Sequence, residues 1–132
     1  MLFPDYRPRR LRQSENMRRM IRETSLSVND LILPLFVIAG QDVKSPIPSM
    51  PGHFHLSIDT FLKTAQRAYD NGIPAIIIFG IPEKKDAFGT EAYSENGIVQ
   101  KATMAVKEKV PDLIAITDVC LCQYTDHGQC GV

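Results

Sequence analysis

Three apolar runs separated by helical patterns constrain this chain more than anything else in it. "LILPLFVI" (31–38) and "AIIIFG" (75–80) are almost wholly apolar, and "LIAITDV" (113–119) nearly so, as strands buried on both faces are. Between the first two, "SIDTFLKTAQRAYDNG" (57–72) places Ile58, Phe61, Leu62, Ala65, Ala68 and Tyr69 at helical spacing, with Ser57 as N-cap and Gly72 as the stop. Between the second and third, "GIVQKATMAVKEKV" (97–110) carries the stripe Ile98, Ala102, Ala105 and Val106; Lys107 and Lys109 suit its C-terminal dipole and Pro111 ends it. Strand, helix, strand, helix, strand predicts a parallel α/β sheet. Pro34 stands against the first strand, because proline cannot donate to a sheet ladder.

Composition narrows the partners. The 132 residues are 44% hydrophobic and 23% charged with zero formal net charge, enough for one modest core and without a global field toward nucleic acid or membrane. Charge is nevertheless uneven: residues 1–30 hold seven arginines against Asp5, Glu15, Glu23 and Asp30, a basic arm on a mildly acidic body. Within it "SENMRRMIRE" predicts a short helix capped by Ser14, with Met17, Met20 and Ile21 as an apolar stripe that packs on a partner subunit. The arm has no aromatic after Tyr6 to stack on bases, which disfavours nucleic-acid binding. No apolar run nears the roughly 20 residues that span a bilayer, and "MLFPDYRPRRL" lacks the core of a secretory signal. The expectation is a cytoplasmic protein that binds neither membrane nor nucleic acid.

Two long inserts, "QDVKSPIPSMPGHF" (41–54) and "IPEKKDAFGTEAYSEN" (81–96), follow the carboxyl ends of strands, where α/β folds keep their binding loops; they read equally well as ordinary surface loops. Neither contains a glycine-rich phosphate loop.

All three cysteines lie between residues 120 and 130. Three cannot all pair within one chain, and a reducing compartment disfavours disulfides, so metal binding or thiol chemistry is the reading to weigh. If the third strand continues past Val119, then Asp118, Cys120 and Cys122 share one side, and the turn "YTDHGQCG" can fold Cys130 back to them. Three soft thiolates suit zinc and leave a fourth position open, as catalytic sites do. Asp126 or His127 could fill that position and make the site structural, or Cys120 could simply pack in a core. Asp118, a carboxylate ending an apolar strand, must be paired or used. His53 and His55 alternate as strand residues do and, with no third partner nearby, suit a loop or hairpin better than a metal.

The segments "RPRRLR", "MRRMIRET", "LILPLFV", "SMPG", "LSID", "GIPAIIIFG", "EAYSENGIVQKA" and "ITDVCLCQYTDHGQCGV" resemble, in this order, the opening of the porphobilinogen synthase (δ-aminolevulinic acid dehydratase) family, in its zinc-dependent branch. Gln129 stands where many relatives have histidine, and the three cysteines are intact. The resemblance implies a (β/α)8 TIM barrel, of which residues 31–132 are the first part, about three strands of eight, behind an N-terminal arm over 1–30. It implies a homo-oligomer, an octamer held through that arm, and condensation of two 5-aminolevulinate molecules to porphobilinogen with loss of two waters. Cys120, Cys122 and Cys130 are the implied Zn2+ ligands and Asp118 the implied active-site aspartate. Magnesium, where relatives use it, belongs to a site outside this chain.

The family holds its substrates as Schiff bases on two lysines of later barrel strands. The seven lysines here, at 44, 63, 84, 85, 101, 107 and 109, lie outside those motifs, and such a barrel needs roughly 250 residues. The expectation is therefore an N-terminal portion, inactive by itself, with an open sheet edge at its third strand. The competing reading is a noncatalytic zinc-binding or assembly module.

Overall fold

A computed structural model describes residues 9–130; the first eight residues, with Asp5, Tyr6 and Arg7 of the basic start, and Gly131 of the final turn lie outside the described residues. The sheet has five strands: β1 (Ile32–Val37), β2 (Lys44–Pro46), β3 (Phe54–Leu56), β4 (Ala75–Gly80) and β5 (Ile114–Thr117), in the spatial order β2-β3-β1-β4-β5. β1, β4 and β5 run parallel, joined by the helices α2 (Ile58–Asp70) and α3 (Ile98–Lys109). These are the three predicted strands and two predicted helices, and they form part of a barrel-type α/β sheet.

Pro34 is accommodated by register. Pro34 pairs with Ile77 in the β1–β4 ladder, whereas β3 meets β1 only at Phe36 and Val37. The Ile38 N–H donates to Leu56 O at 2.9 Å, so the even residues of β1 aim their nitrogens toward β3. Pro34 therefore turns its donorless nitrogen to a side that β3 does not reach, where no ladder bond is lost.

β2 and β3 form an antiparallel hairpin that starts in the insert 41–54 and runs two residues past it. His55 belongs to β3, and His53 and His55 stand edge-on to Phe36, at 6.3 and 6.4 Å between ring centroids. β2 is exposed and carries Lys44 and Pro46, residues that blunt a sheet edge against further pairing.

α2 buries Thr60, Phe61, Ala65 and Ala68, and α3 buries Val99, Ala102 and Val106. The alanines let both helices lie close against Leu35, Val37, Ile76 and Ile78, the core side chains of β1 and β4. Phe61, Ile76, Ile78 and Leu113 are fully buried, each contributing about 1.5–3 kcal/mol over an exposed side chain. Ser57 occupies the N-cap of α2, yet its hydroxyl works sideways: it donates to Asp59 at 2.6 Å and accepts from the Val43 N–H at 2.9 Å. Asp59 in turn takes the N–H of Asp42, a residue at φ +53°, so the turn after β1 is tied to the helix. At the far end of α3, Lys107 donates to the carbonyls of Pro111 and Leu113 at 2.6 and 3.3 Å, closing the helix as its charge predicts.

Before the sheet, α1 (Glu15–Met20) is capped by Ser14, whose hydroxyl accepts from the Met17 N–H. None of its residues is buried, and Met20 is 82% exposed, so its stripe is not used within the described residues. No helix of the described residues is long and apolar enough to cross a membrane.

Candidate metal centre

β5 stops at Thr117, five residues earlier than alternation through Cys122 requires. The Asp118 N–H still reaches Ile78 O at 3.4 Å, and then the chain turns: the N–H groups of Tyr124 and Thr125 both return to Leu121 O, at 2.8 and 3.0 Å. The expectation of an extended strand through Cys122 is thus corrected. Cys120 and Cys122 are brought together by a tight turn at the carboxyl end of β5.

The sulfurs converge all the same. Cys120 Sγ lies 2.9 Å from Cys122 Sγ and 3.0 Å from Cys130 Sγ, and all three fall within 4.8 Å of one another. Four sulfurs at about 2.3 Å around a tetrahedral ion stand about 3.8 Å apart, so the two short edges would open by under 1 Å to form one face. The donors are soft, uncharged as thiols and two of them half-buried, a set suited to a thiophilic ion such as zinc and ill suited to magnesium or calcium. Contact with the Cys122 and Cys130 sulfurs pushes the Cys120 thiol up to about 12, while contact with Cys120 lowers Cys130.

Asp126 and His127 are exposed and do not join the cluster. His127 Nδ1 accepts the N–H of Gln129 at 3.2 Å, a local turn contact. His53 and His55 sit in the hairpin, away from the cysteines in the sheet order, as the absence of a third partner predicts.

Asp118 and Cys120 line the same cleft, about 700 Å3, against Tyr93, Val99 and Met104. Gln123 Nε2 donates to Asp118 Oδ2 at 3.1 Å, fixing the carboxylate. On the α3 side, Thr103 Oγ1 is buried without a hydrogen-bond partner among the described residues. Behind the cysteines Tyr124 is 7% exposed, and burial, with the charges of Asp118 and Glu91, raises its phenol above the ordinary value.

Sequence reasoning did not single out Gly80, Asp86, Gln123 or Tyr124. A Cβ on Gly80 would meet Val99 Cγ2, and would lie 2.7 Å from the Tyr124 hydroxyl and 3.0 Å from Ile98 Cγ2. The signal was a glycine closing an apolar strand, which alone does not say what approaches it.

Comparison with known proteins agrees with this geometry. A family model described as delta-aminolevulinic acid dehydratase matches residues 5–132. The delta-aminolevulinic acid dehydratase of Synechocystis sp. is 56% identical over 130 residues, 98% of this chain and 40% of that protein. That of Methanothermus sociabilis is 50% identical over 132 residues, all of this chain and 41% of the relative. The chain thus spans about 40% of the length of these curated relatives. A crystal structure of the Toxoplasma gondii ME49 enzyme, in complex with the reaction product porphobilinogen, superposes with a TM-score of 0.86 at 36% identity, covering 96% of this chain and 36% of that one. With fold and sequence agreeing over nearly its whole length, this chain belongs to the delta-aminolevulinic acid dehydratase family.

Proposed function

We propose that this chain is the metal-bearing N-terminal portion of a porphobilinogen synthase, which condenses two 5-aminolevulinate molecules to porphobilinogen with loss of two waters. The observation that carries this reading is the convergence of three thiols at the carboxyl end of a parallel strand, one of them, Cys120, lining a cleft together with Asp118. Cys120, Cys122 and Cys130 are the residues that would hold the ion, and zinc is the ion their softness favours. When bound, zinc supplies a Lewis acid with a fourth position open to substrate.

The chain's own residues do the rest. Asp118 is held at one oxygen by Gln123 and offers the other to a substrate ammonium in the cleft. Tyr93, Val99 and Met104 supply an apolar wall beside that ion pair. The ketone chemistry calls for lysine amines. We assign them to the part of the relatives' length that this chain does not span, so the 132-residue chain alone is expected to form no porphobilinogen. Residues 1–30, basic and with α1 unburied, serve in this reading as an arm that holds a homo-oligomer, an octamer, together in the cytoplasm.

The test uses the full-length protein that contains this segment. After dialysis it is expected to retain stoichiometric zinc, to lose it in Cys122→Ser, and to turn 5-aminolevulinate into a pyrrole detected colorimetrically. Failure to retain zinc with all thiols reduced would overturn the metal assignment. A zinc-loaded, full-length protein that forms no pyrrole would overturn the synthase reading and leave the noncatalytic module.

A further inference from the structure

We propose that the insert 81–96 is a positioning frame for the three thiols, with Asp86 as the residue that closes it onto the cysteine loop. This deepens the metal-centre reading and rests on it.

Asp86 and Thr125 form an isolated parallel bridge: the Asp86 N–H donates to Tyr124 O at 3.3 Å, and Asp86 O accepts from the Asp126 N–H at 3.1 Å. Both bonds land between Cys122 and Cys130, on the stretch that must bend if Cys130 is to return to Cys120. The side chain of Asp86 makes its backbone available for this. Its Oδ1 accepts the N–H groups of Phe88 and Thr90 at 2.9 and 3.1 Å and so curls 86–90 into a fixed turn. Inside that turn Gly89, at φ +62°, is buried; a Cβ there would lie 3.5–3.6 Å from Tyr124 Cβ, Leu121 Cδ2 and Thr125 Cγ2. The turn is therefore packed flat against the cysteine loop.

The far side of the bridge continues to the last ligand. Thr125 is 1% exposed, and its hydroxyl donates to Gln129 O at 3.0 Å, one residue before Cys130. A rigid path thus runs from the Asp86 carboxylate through the bridge and Thr125 to Cys130. Its removal leaves the seven residues between Cys122 and Cys130 free to wander, and a chelating set that must first be gathered binds more weakly than one held ready. Partners outside the ligand set of metal sites typically change affinity by about 10–100-fold, and that is the range expected here.

Asp86→Ala removes the acceptor, and Asp86→Asn keeps an oxygen where Oδ1 stands. Cobalt(II) is the probe in the full-length protein, since its thiolate charge-transfer and visible bands report sulfur coordination and tetrahedral geometry without any turnover. The expected result is about 10–100-fold weaker cobalt binding by Asp86→Ala in chelator competition, an altered visible spectrum, and recovery of most of both in Asp86→Asn. Because Asp86 is exposed, the melting temperature of the metal-free protein is expected to stay where it was. Parental affinity and spectrum in Asp86→Ala would overturn the frame. So would an affinity loss that merely tracks a lower metal-free melting temperature. A parent protein that binds no cobalt would instead overturn the metal-centre reading beneath it.

Discussion

Gly80→Ala tests whether the end of β4 is a socket for the cysteine loop. Gly80 is buried, and the added methyl would press on Val99 Cγ2 of α3 and come within 2.7 Å of the Tyr124 hydroxyl. Val99 is buried on α3 and β-branched, and such side chains strongly prefer a single rotamer in a helix, so its retreat is costly. Tyr124 is held from behind by the bridge to Asp86. Relief therefore requires α3 or the cysteine loop to move, an overpacking cost of about 1–3 kcal/mol. Gly80 is not among the glycines with positive φ, so alanine returns about 0.4–1 kcal/mol by restricting the unfolded chain. The net is about 1–2 kcal/mol of lost stability, a fall of about 3–10 °C in melting temperature for a domain of this size. Thermal unfolding followed by far-UV circular dichroism measures it. In a Val99→Ala background the same change is expected to cost about 1 kcal/mol less, because the atom it strikes is gone. A Gly80→Ala protein as stable as its parent, or an equal cost in both backgrounds, refutes the socket.

Phe61→Ala, at a fully buried position where α2 meets the sheet, is expected to cost about 3–5 kcal/mol, read as a large drop in the urea midpoint; a small drop would mean the site collapses onto the hole. The Ser57 hydroxyl and the Asp42 N–H favour the Asp59 carboxylate and lower it below its ordinary 3.8. A lowered group stabilises the fold above its unfolded value and loses that contribution as pH falls through the folded one. Asp59→Asn is therefore expected to melt below the parent at pH 7 and to converge with it in parallel melts as pH falls below the ordinary 3.8 and through the lowered folded value, and a constant gap would exclude the linkage. β5 has a strand on one side only among the described residues, with Ile114 56% and Val119 97% exposed beside it. The 132-residue chain is expected to self-associate in light scattering and Val119→Lys to reduce this; a monodisperse monomer for the parent would sink the argument.

The three long strands were legible because each is an apolar run of the length a doubly covered strand needs, and the helices because their small residues recur every three or four positions. The β2–β3 hairpin was legible only in part, at the alternation of His53 and His55 that suited a loop or hairpin. Its strands are three residues long, one of them fully exposed, and they pair because β3 finds the last two residues of β1 uncovered. That is a tertiary fact with no local pattern. Pro34 illustrates the same limit from the other direction: its residue type argues against a strand, and only the register, which leaves its nitrogen facing no partner, removes the objection.

The cysteines show how far residue type reaches. Three thiols within eleven residues announce a soft ligand set, and their sulfurs do meet, but through a turn closed on Leu121 O and not through strand alternation. Alternation put Asp118, Cys120 and Cys122 on one side by counting; the fold bends the chain after Thr117, which leaves Asp118 and Cys120 on one cleft and brings the Cys122 sulfur to Cys120. The same bend explains why Gly80 and Asp86 escaped notice. Each acts on the loop from some 35 to 45 residues upstream, through a missing side chain in one case and a backbone bridge in the other, and neither device has a spacing that a single sequence can display. Residues that touch a ligand are chosen for their chemistry and can be read from their letters. Residues that set where the ligands stand are chosen for the space or bond they leave, so they become visible only when the chain is folded.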